Sequence, residues 1–223
     1  MANAPKGRSA GHLMSPCSNA PNPSLMFSLR AFALASLLAL TGCASTQFET
    51  SGRIPPQPVC QARGETLSAL ILWGPQWRPN QKDVPDREAA AQRGIERFFA
   101  SSGCFSKVHI IRTVDDRPAV ALSPFEARAL AAADSISPSR VIVITVRELG
   151  PIVRLLSSPA LVEGGTEVVL EIRSVVATTG EVTADYRSHW RHGGPWFIKG
   201  VGTLEQDIGA ALQAALKPQP SGS

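Results

Sequence analysis

The run "AFALASLLAL" at residues 31–40 decides which part of this chain can build a fold. It is ten residues long and carries no charge. As a helix it would rise about 15 Å, roughly half the thickness of a bilayer's hydrocarbon core. It is short for a membrane span, and Gly42 follows it closely. Arg30 lies just ahead of it, and small or neutral residues lie just behind. A basic flank, a short apolar core and small residues before a cut make the pattern of a secretory signal. The other reading is a buried helix that happens to end near a cysteine. On the secretory reading, residues 1–42 are a leader and the fold begins after them. The 25 residues before Met26 are rich in Pro, Ser, Asn and Ala, a composition that buries little apolar surface. Met26 opens a signal of ordinary proportions and is the expected start, with Met1 as the alternative.

The end of the run is more specific than a general cleavage site. Leu40-Thr41-Gly42-Cys43 resembles the lipobox of bacterial lipoproteins, a leucine and two small or neutral residues before the cysteine that is acylated. The resemblance implies that Cys43 carries the lipid and anchors the chain to a membrane. Ala44 follows, and no Asp stands there. Among Gram-negative lipoproteins that implies sorting to the outer membrane, on its periplasmic face.

Charge and cysteine usage change meaning once the leader is set aside. The whole chain has 22 Lys and Arg against 18 Asp and Glu, a net charge of +4. Lys6, Arg8 and Arg30 fall in residues 1–42, which hold no acid, leaving 19 basic and 18 acidic side chains. A near-neutral remainder gives no support for nucleic-acid binding. About 180 residues suit one domain. Beyond Cys17 and Cys43, two cysteines remain, Cys60 and Cys104. In an oxidising compartment such a pair is expected to form a disulfide. Closing a loop of that length would stabilise by about 4 kcal/mol in the chain-entropy model. Two separate thiols are the alternative; the spacing matches no zinc motif.

Residues 43–62 are polar and proline-bearing and read as a flexible tether behind the acylated cysteine. Residues 63–217 then alternate strand and helix as a single domain, and 218–223 read as a disordered tail. The compact run "LSALILW" at 67–73 is a buried strand. A loop broken by Pro75, Pro79 and Pro85 follows. Asp86 caps a helix over 86–101, with Ala91, Ile95, Phe98 and Phe99 as its apolar stripe and Gly103 as its stop. Residues 105–114 form a second strand. Ser123, Pro124 and Glu126 make a capping box for a short alanine-rich helix. Residues 140–149, "RVIVITVREL", are the strongest strand. Residues 167–176 alternate, with Val168, Leu170 and Ile172 on one face and Glu171 and Arg173 on the other. A turn at Gly180 returns the chain through Val182, Ala184, Tyr186 and Trp190. Thr203 and Gln206 form a second capping box, with Leu204, Ile208, Ala211, Leu212 and Ala215 as the buried stripe of the last helix. The expected fold is α/β (α+β): a mixed five-stranded sheet in the order β-α-β-α-β-β-β-α, with about three helices packed mainly on one face.

The stretch "VVLEIRSVVATTGEV" at 168–182, with its following strand and closing amphipathic helix, resembles the small α/β domains of periplasmic lipoproteins. The curli-secretion lipoprotein family, the lipoprotein activators of penicillin-binding proteins and the amino-terminal domain of the Tol-system propeller protein are of this kind. The resemblance extends to the strand order over residues 67–216. It implies binding or assembly rather than catalysis, and it transfers no functional residue.

The search for chemistry finds no nucleophile elbow, Walker loop or Rossmann fingerprint. His109 lies inside the second strand and reads as a solvent-facing or satisfied sheet residue. His189 and His192, three apart, would point to opposite faces of a continuous strand. A metal site would need a bend and further ligands, so no metal or cofactor is expected. Asp115, Asp116 and Glu163 sit beside turns and read as solvated acids.

Two stretches read as contact surfaces. "LWGPQWRPNQKD" presents Trp77 and Arg78 beyond the first strand, residue types enriched at binding hot spots. The alternative there is that Trp73 is core and Trp77 packs under the loop. "GPIVRLLSSPALVEGG" holds Leu155 and Leu156 between proline and glycine breaks. It either extends the neighbouring strands into a long hairpin or exposes an apolar partner or membrane surface. Trp190 and Trp196 in "HWRHGGPWF" can join that surface. The expected role is a non-catalytic, lipid-anchored binding or assembly factor whose partner is another envelope protein or peptidoglycan. The alternative is an envelope hydrolase using His189 or His192 with a nearby acid such as Asp185.

Overall fold

A computed structural model describes residues 44–60, 67–113, 118–155 and 162–217. The leader, Cys43, Asp115, Asp116, Leu156 and the tail at 218–223 lie outside the described residues. In chain order the elements are strand β1 (Ser45–Arg53), strand β2 (Ser68–Pro75), helix α1 (Val84–Ser102), strand β3 (Lys107–Arg112), helix α2 (Pro124–Ala133), strand β4 (Arg140–Leu155), strand β5 (Val162–Val176), strand β6 (Val182–Pro195) and helix α3 (Leu204–Leu216). Short 3-10 turns at Ala119–Ala121 and Val201–Thr203 precede α2 and α3.

The sheet has six strands, not five, in the order β1-β6-β5-β4-β2-β3. The added strand, β1, comes from the segment read as a flexible tether. Eight of its nine residues are exposed, and only Phe48 is half-buried, so no alternation of apolar residues announces it. It forms because β6 would otherwise leave a row of unpaired backbone groups along its edge. β1 covers that edge antiparallel, from Ser45 beside Gly193 to Arg53 beside Asp185.

Strands β3, β2 and β4 are parallel neighbours, while β4, β5, β6 and β1 pair antiparallel. The chain steps from β2 to β3 on one side, then returns past β2 to β4 on the other. Crossovers between parallel strands keep a right hand. Reversing direction at β2 therefore sends α1 and α2 to opposite faces. Two of the three helices thus share one face, as expected, and α2 takes the other. Helices α1 and α3 pack on the larger core with Ile71, Trp73, Ile142, Ile144, Leu170 and Trp190. Helix α2 covers a smaller core of Leu70, Leu72, Val141, Val143 and Val175 on the other face. Burial on both faces explains the unbroken apolar run of β2.

The predicted stripe of α1 is buried at Ala91, Ile95, Phe98 and Phe99. Gly103 ends the helix with φ 66, a left-handed conformation suited to glycine. The helix starts earlier than expected, at Val84, and Asp86 is an acid of the first turn rather than its cap. The Ser123–Glu126 capping box forms in full. The second box does not: Thr203 makes no cap hydrogen bond to the backbone, and its hydroxyl donates to Asp207 Oδ2 at 2.9 Å. β4 runs past the predicted end at Leu149 to Leu155, paired with β5 as a long hairpin. β2 ends opposite Val146, so this part of β4 is an edge, where Pro151 is tolerated. Cys60 and Cys104 are bridged, with Cα atoms 4.9 Å apart. The bridge lies in the larger core, and the Cys60 N–H donates to the Leu216 carbonyl at 2.8 Å.

Candidate functional site

Helix α2 covers the outer face only over β2 and the adjoining ends of β4 and β5. The rest of that face, across β5 and β6, has charged side chains at alternate positions: Glu167, Glu171 and Arg173 on β5, and Asp185, Arg187 and Arg191 on β6. The β5–β6 register sets Glu167 beside Arg191, Glu171 beside Arg187 and Arg173 beside Asp185. Opposite charges at facing positions favour that register.

A bulge in β4 adds to the charge. Val146 pairs with Leu170, and the next pair is Glu148 with Val169. The extra residue is Arg147, so two consecutive charged residues reach the same region. Beside them folds the loop after β2. The Gln76 N–H donates to the Val146 carbonyl at 2.9 Å, and a turn closes where the Gln81 N–H donates to the Arg78 carbonyl at 3.0 Å. The Trp77 indole donates to Glu88 Oε1 at 3.2 Å, and its ring packs against the larger core. Arg78 is 64% exposed and pairs with Glu148.

These elements enclose an open cleft of about 530 Å³. Its walls are Gln76, Trp77 and Arg78 from the loop, Arg147 and Glu148 from β4, and Glu167, Val169 and Arg187 from β5 and β6. Arg147 donates to Gln76 Oε1 and lies 2.8 Å from Glu171 Oε1. That contact engages the acid opposite Arg187. Arg187 makes no ion pair among the described residues. The cleft thus presents three guanidinium groups: Arg78 and Arg187 are exposed, and Arg187 has no ion pair among the described residues.

Glu167 sits at one wall. Its Oε1 is 2.5 Å from His189 Nε2 and 3.0 Å from Arg191 Nη2. Burial works to raise the Glu167 carboxyl, but the hydrogen bonds and charges of Arg191 and His189 outweigh it and hold the group below its ordinary range. His189 Nε2 also lies 3.0 Å from Arg191 Nε. A single nitrogen cannot donate to Glu167 and accept from Arg191 at once. The shorter contact to a carboxylate selects donation to Glu167.

His192 lies apart from this group. Its Nδ1 is 2.9 Å from Thr46 Oγ1, and its ring stacks on Trp190 at 5.8 Å and meets Phe197 edge-on at 5.3 Å. The two histidines occupy opposite faces, as the alternation of β6 predicts. Asp185, the acid expected near them, pairs with Arg173 instead. The cleft walls contain no Ser, Thr or Cys. Elsewhere, His109 Nδ1 is 2.5 Å from Asp134 Oδ2. The Ile136 N–H is the largest influence on Asp134; with His109 it holds the carboxyl below its ordinary range against the opposing effect of burial. No group of three or more metal-ligating side chains occurs among the described residues, and no described helix is long and apolar enough to cross a membrane.

The structure divides the expected contact residues. Trp77 and Arg78 meet at the cleft, with Trp77 half-buried. Trp73 is core, beneath the Arg112 guanidinium at 5.6 Å. Trp190 is only 5% exposed; it faces the larger core and is not a surface contact. Trp196 is exposed at the far end of β6. Leu155 is the last residue of β4, and Leu156 lies outside the described residues. Sequence reading missed Arg147, Glu148, Glu167 and Arg187 as one site. The alternation of Glu171 and Arg173 on β5 signalled a polar face, but only the register and the bulge gather these four residues.

No family model and no curated protein matches the chain. Its fold is similar to several solved structures. One is a PelC dodecamer from Paraburkholderia phytofirmans (TM-score 0.41, 14% identity, covering 78% of this chain and 100% of that one). Another is lipoprotein GNA1162 from Neisseria meningitidis (TM-score 0.37, 14% identity, 66% and 96%). A third is protein XCC0632 from Xanthomonas campestris (TM-score 0.34, 13% identity, 74% and 87%). Likeness this distant carries no argument about what the chain does.

Proposed function

We propose that the chain is a lipid-anchored protein of the bacterial envelope. In this reading Cys43 holds it at the periplasmic face of the outer membrane, where it acts as a non-catalytic binding or assembly factor. The observation that carries the binding role is the cleft beside the β2 loop, where Arg78, Arg147 and Arg187 face a helix-free sheet surface. Planar guanidinium groups suit carboxylates, which they can grip with two parallel hydrogen bonds. An envelope protein with exposed acids, or the peptide carboxylates of peptidoglycan, offers that chemistry. The lipobox supports the anchor. An anchored domain searches a thin layer, so modest contacts suffice through effective concentration.

The cleft also changes the choice of test. Trp77 packs on the core and donates to Glu88, so its removal would confuse binding with folding. Arg78 and Arg187 are exposed. The double variant Arg78→Gln, Arg187→Ala removes both guanidinium groups without facing like charges; it should keep the fold by circular dichroism and lose about tenfold in partner capture, roughly 1.4 kcal/mol. Capture is measured by crosslinking in cells, followed by mass spectrometry of proteins and of peptidoglycan fragments. Capture unchanged by the double variant would sink the cleft as the binding site.

A further inference from the structure

We propose that the glycine-rich end of the sheet is a second membrane contact, in which Val153, Trp196 and Ile198 rest on the bilayer that the diacylglycerol of Cys43 enters. This rests on the lipoprotein reading above and adds the orientation of the domain.

The strand register carries the inference. One row across the sheet runs Ile152, Gly165, Gly193 and Ser45, and the next runs Val153, Gly164 and Gly194. Ser45 begins β1 at this end. Cys43 is two residues upstream of it in sequence, and two residues of chain span at most about 7 Å. The lipid attachment point and the end of the long hairpin are therefore neighbours, even though they are more than a hundred residues apart in sequence.

The same end exposes large apolar side chains. The Trp196 N–H donates to the Val162 carbonyl at 2.8 Å, which folds the chain after β6 back beside β5. Glycines permit the close approach. A Cβ on Gly193 would meet the Gly164 carbonyl oxygen at 2.1 Å, and one on Gly164 would meet the Phe197 carbonyl oxygen at 2.5 Å and the Ile198 Cα at 3.5 Å. Val153, Trp196 and Ile198 are 60%, 57% and 73% exposed. Trp196 has φ 61, a left-handed conformation that bulky side chains rarely adopt. The fold maintains that unfavourable backbone while its indole remains in solvent. Such outliers cluster at functional sites.

A bilayer is the occupant that the covalent geometry favours. The anchor fixes this end next to lipid, so contact with the bilayer becomes effectively intramolecular. Tryptophan is enriched at the membrane–water interface, where its amphipathic ring sits among headgroups. Apolar side chains beside the diacylglycerol of the anchor would add buried area and set the orientation of the domain. The domain would then be held upright with its tip in the headgroup layer.

The test uses the full lipidated chain in phosphatidylethanolamine–phosphatidylglycerol vesicles whose acyl chains are brominated. Intact mass first establishes whether Cys43 is acylated. Brominated lipid should quench part of the tryptophan emission. Trp196→Phe, with the anchor intact and circular dichroism unchanged, should abolish most of that quenching. An acylated protein that is not quenched, or is quenched equally without Trp196, overturns this proposal and leaves the anchor standing. A detergent-solubilised dimer dissociated by Ile198→Glu would assign the patch to a second copy and overturn it as well. A chain lacking acylation at Cys43 overturns both readings.

Discussion

In the parallel half of the sheet, β2 is buried on both faces, between α1 on one side and α2 on the other. In the antiparallel half, β5 and β6 bury one face under α1 and α3 and turn charged side chains outward. The same backbone ladder thus meets two demands. The first half can change little without opening a cavity. The second has a face whose side chains are free to be chosen for recognition, because the core does not depend on them. The cleft lies where the two halves meet, beside the loop that leaves β2 and the bulge of β4.

The largest expected effect tests what holds the doubly buried half. Cys60→Ser with Cys104→Ser removes a bridge across a sequence separation of 44. It should lower stability by about 4 kcal/mol in the chain-entropy model, read from urea unfolding under oxidising conditions. A loss below about 1 kcal/mol would mean that packing alone holds that half. Next comes a direct contrast. Ile144 is fully buried in β4, so Ile144→Ala should cost about 3 kcal/mol. Arg187→Ala on the open face should change stability by less than about 0.5 kcal/mol. Comparable losses from the two would erase the distinction between the halves.

The smallest effect concerns pH. Glu167 is held below its ordinary range in the folded state. Its contribution to stability is therefore present above the unfolded pKa and is lost as pH falls through the folded one. Acidification below about pH 4 should weaken the protein more than it weakens Glu167→Gln. The difference should be at most about 1 kcal/mol, because the cluster is partly solvated. Urea midpoints measured from neutral pH down to the carboxylate range would reveal it. A parallel loss in both proteins would show that Glu167 does not couple to folding.

The elements that sequence disclosed were those with a local physical signature. Ala91, Ile95, Phe98 and Phe99 recur at helical spacing, and Ser123 with Glu126 satisfies its own helix end. β1 lacked such a signature because eight of its nine residues stay exposed; its reason is the edge of β6, far away in sequence. Thr203 and Gln206 had the spacing of a capping box, yet Thr203 engages Asp207 instead. Trp190 and Trp196 read alike in sequence, six residues apart on an alternating strand. One fills the core, and the other is held outward by a left-handed turn.

Sequence by itself determined the mixed α/β class, the apolar stripes of the helices, the cysteine pair available to bridge and the polar alternation of β5. These follow from periodicity, turn chemistry and composition, which act over a few residues. Tertiary structure decided which helix covers which face, through the reversal of crossover direction at β2. It also decided that β4 gains an extra residue, so that Arg147 and Glu148 join Arg78, Glu167 and Arg187. Finally, it set Ser45 beside Gly193, bringing β1 to the end of the sheet where Val153, Trp196 and Ile198 are exposed. Pairing between distant strands fixes each of these, and no local pattern records where a strand will find its neighbour.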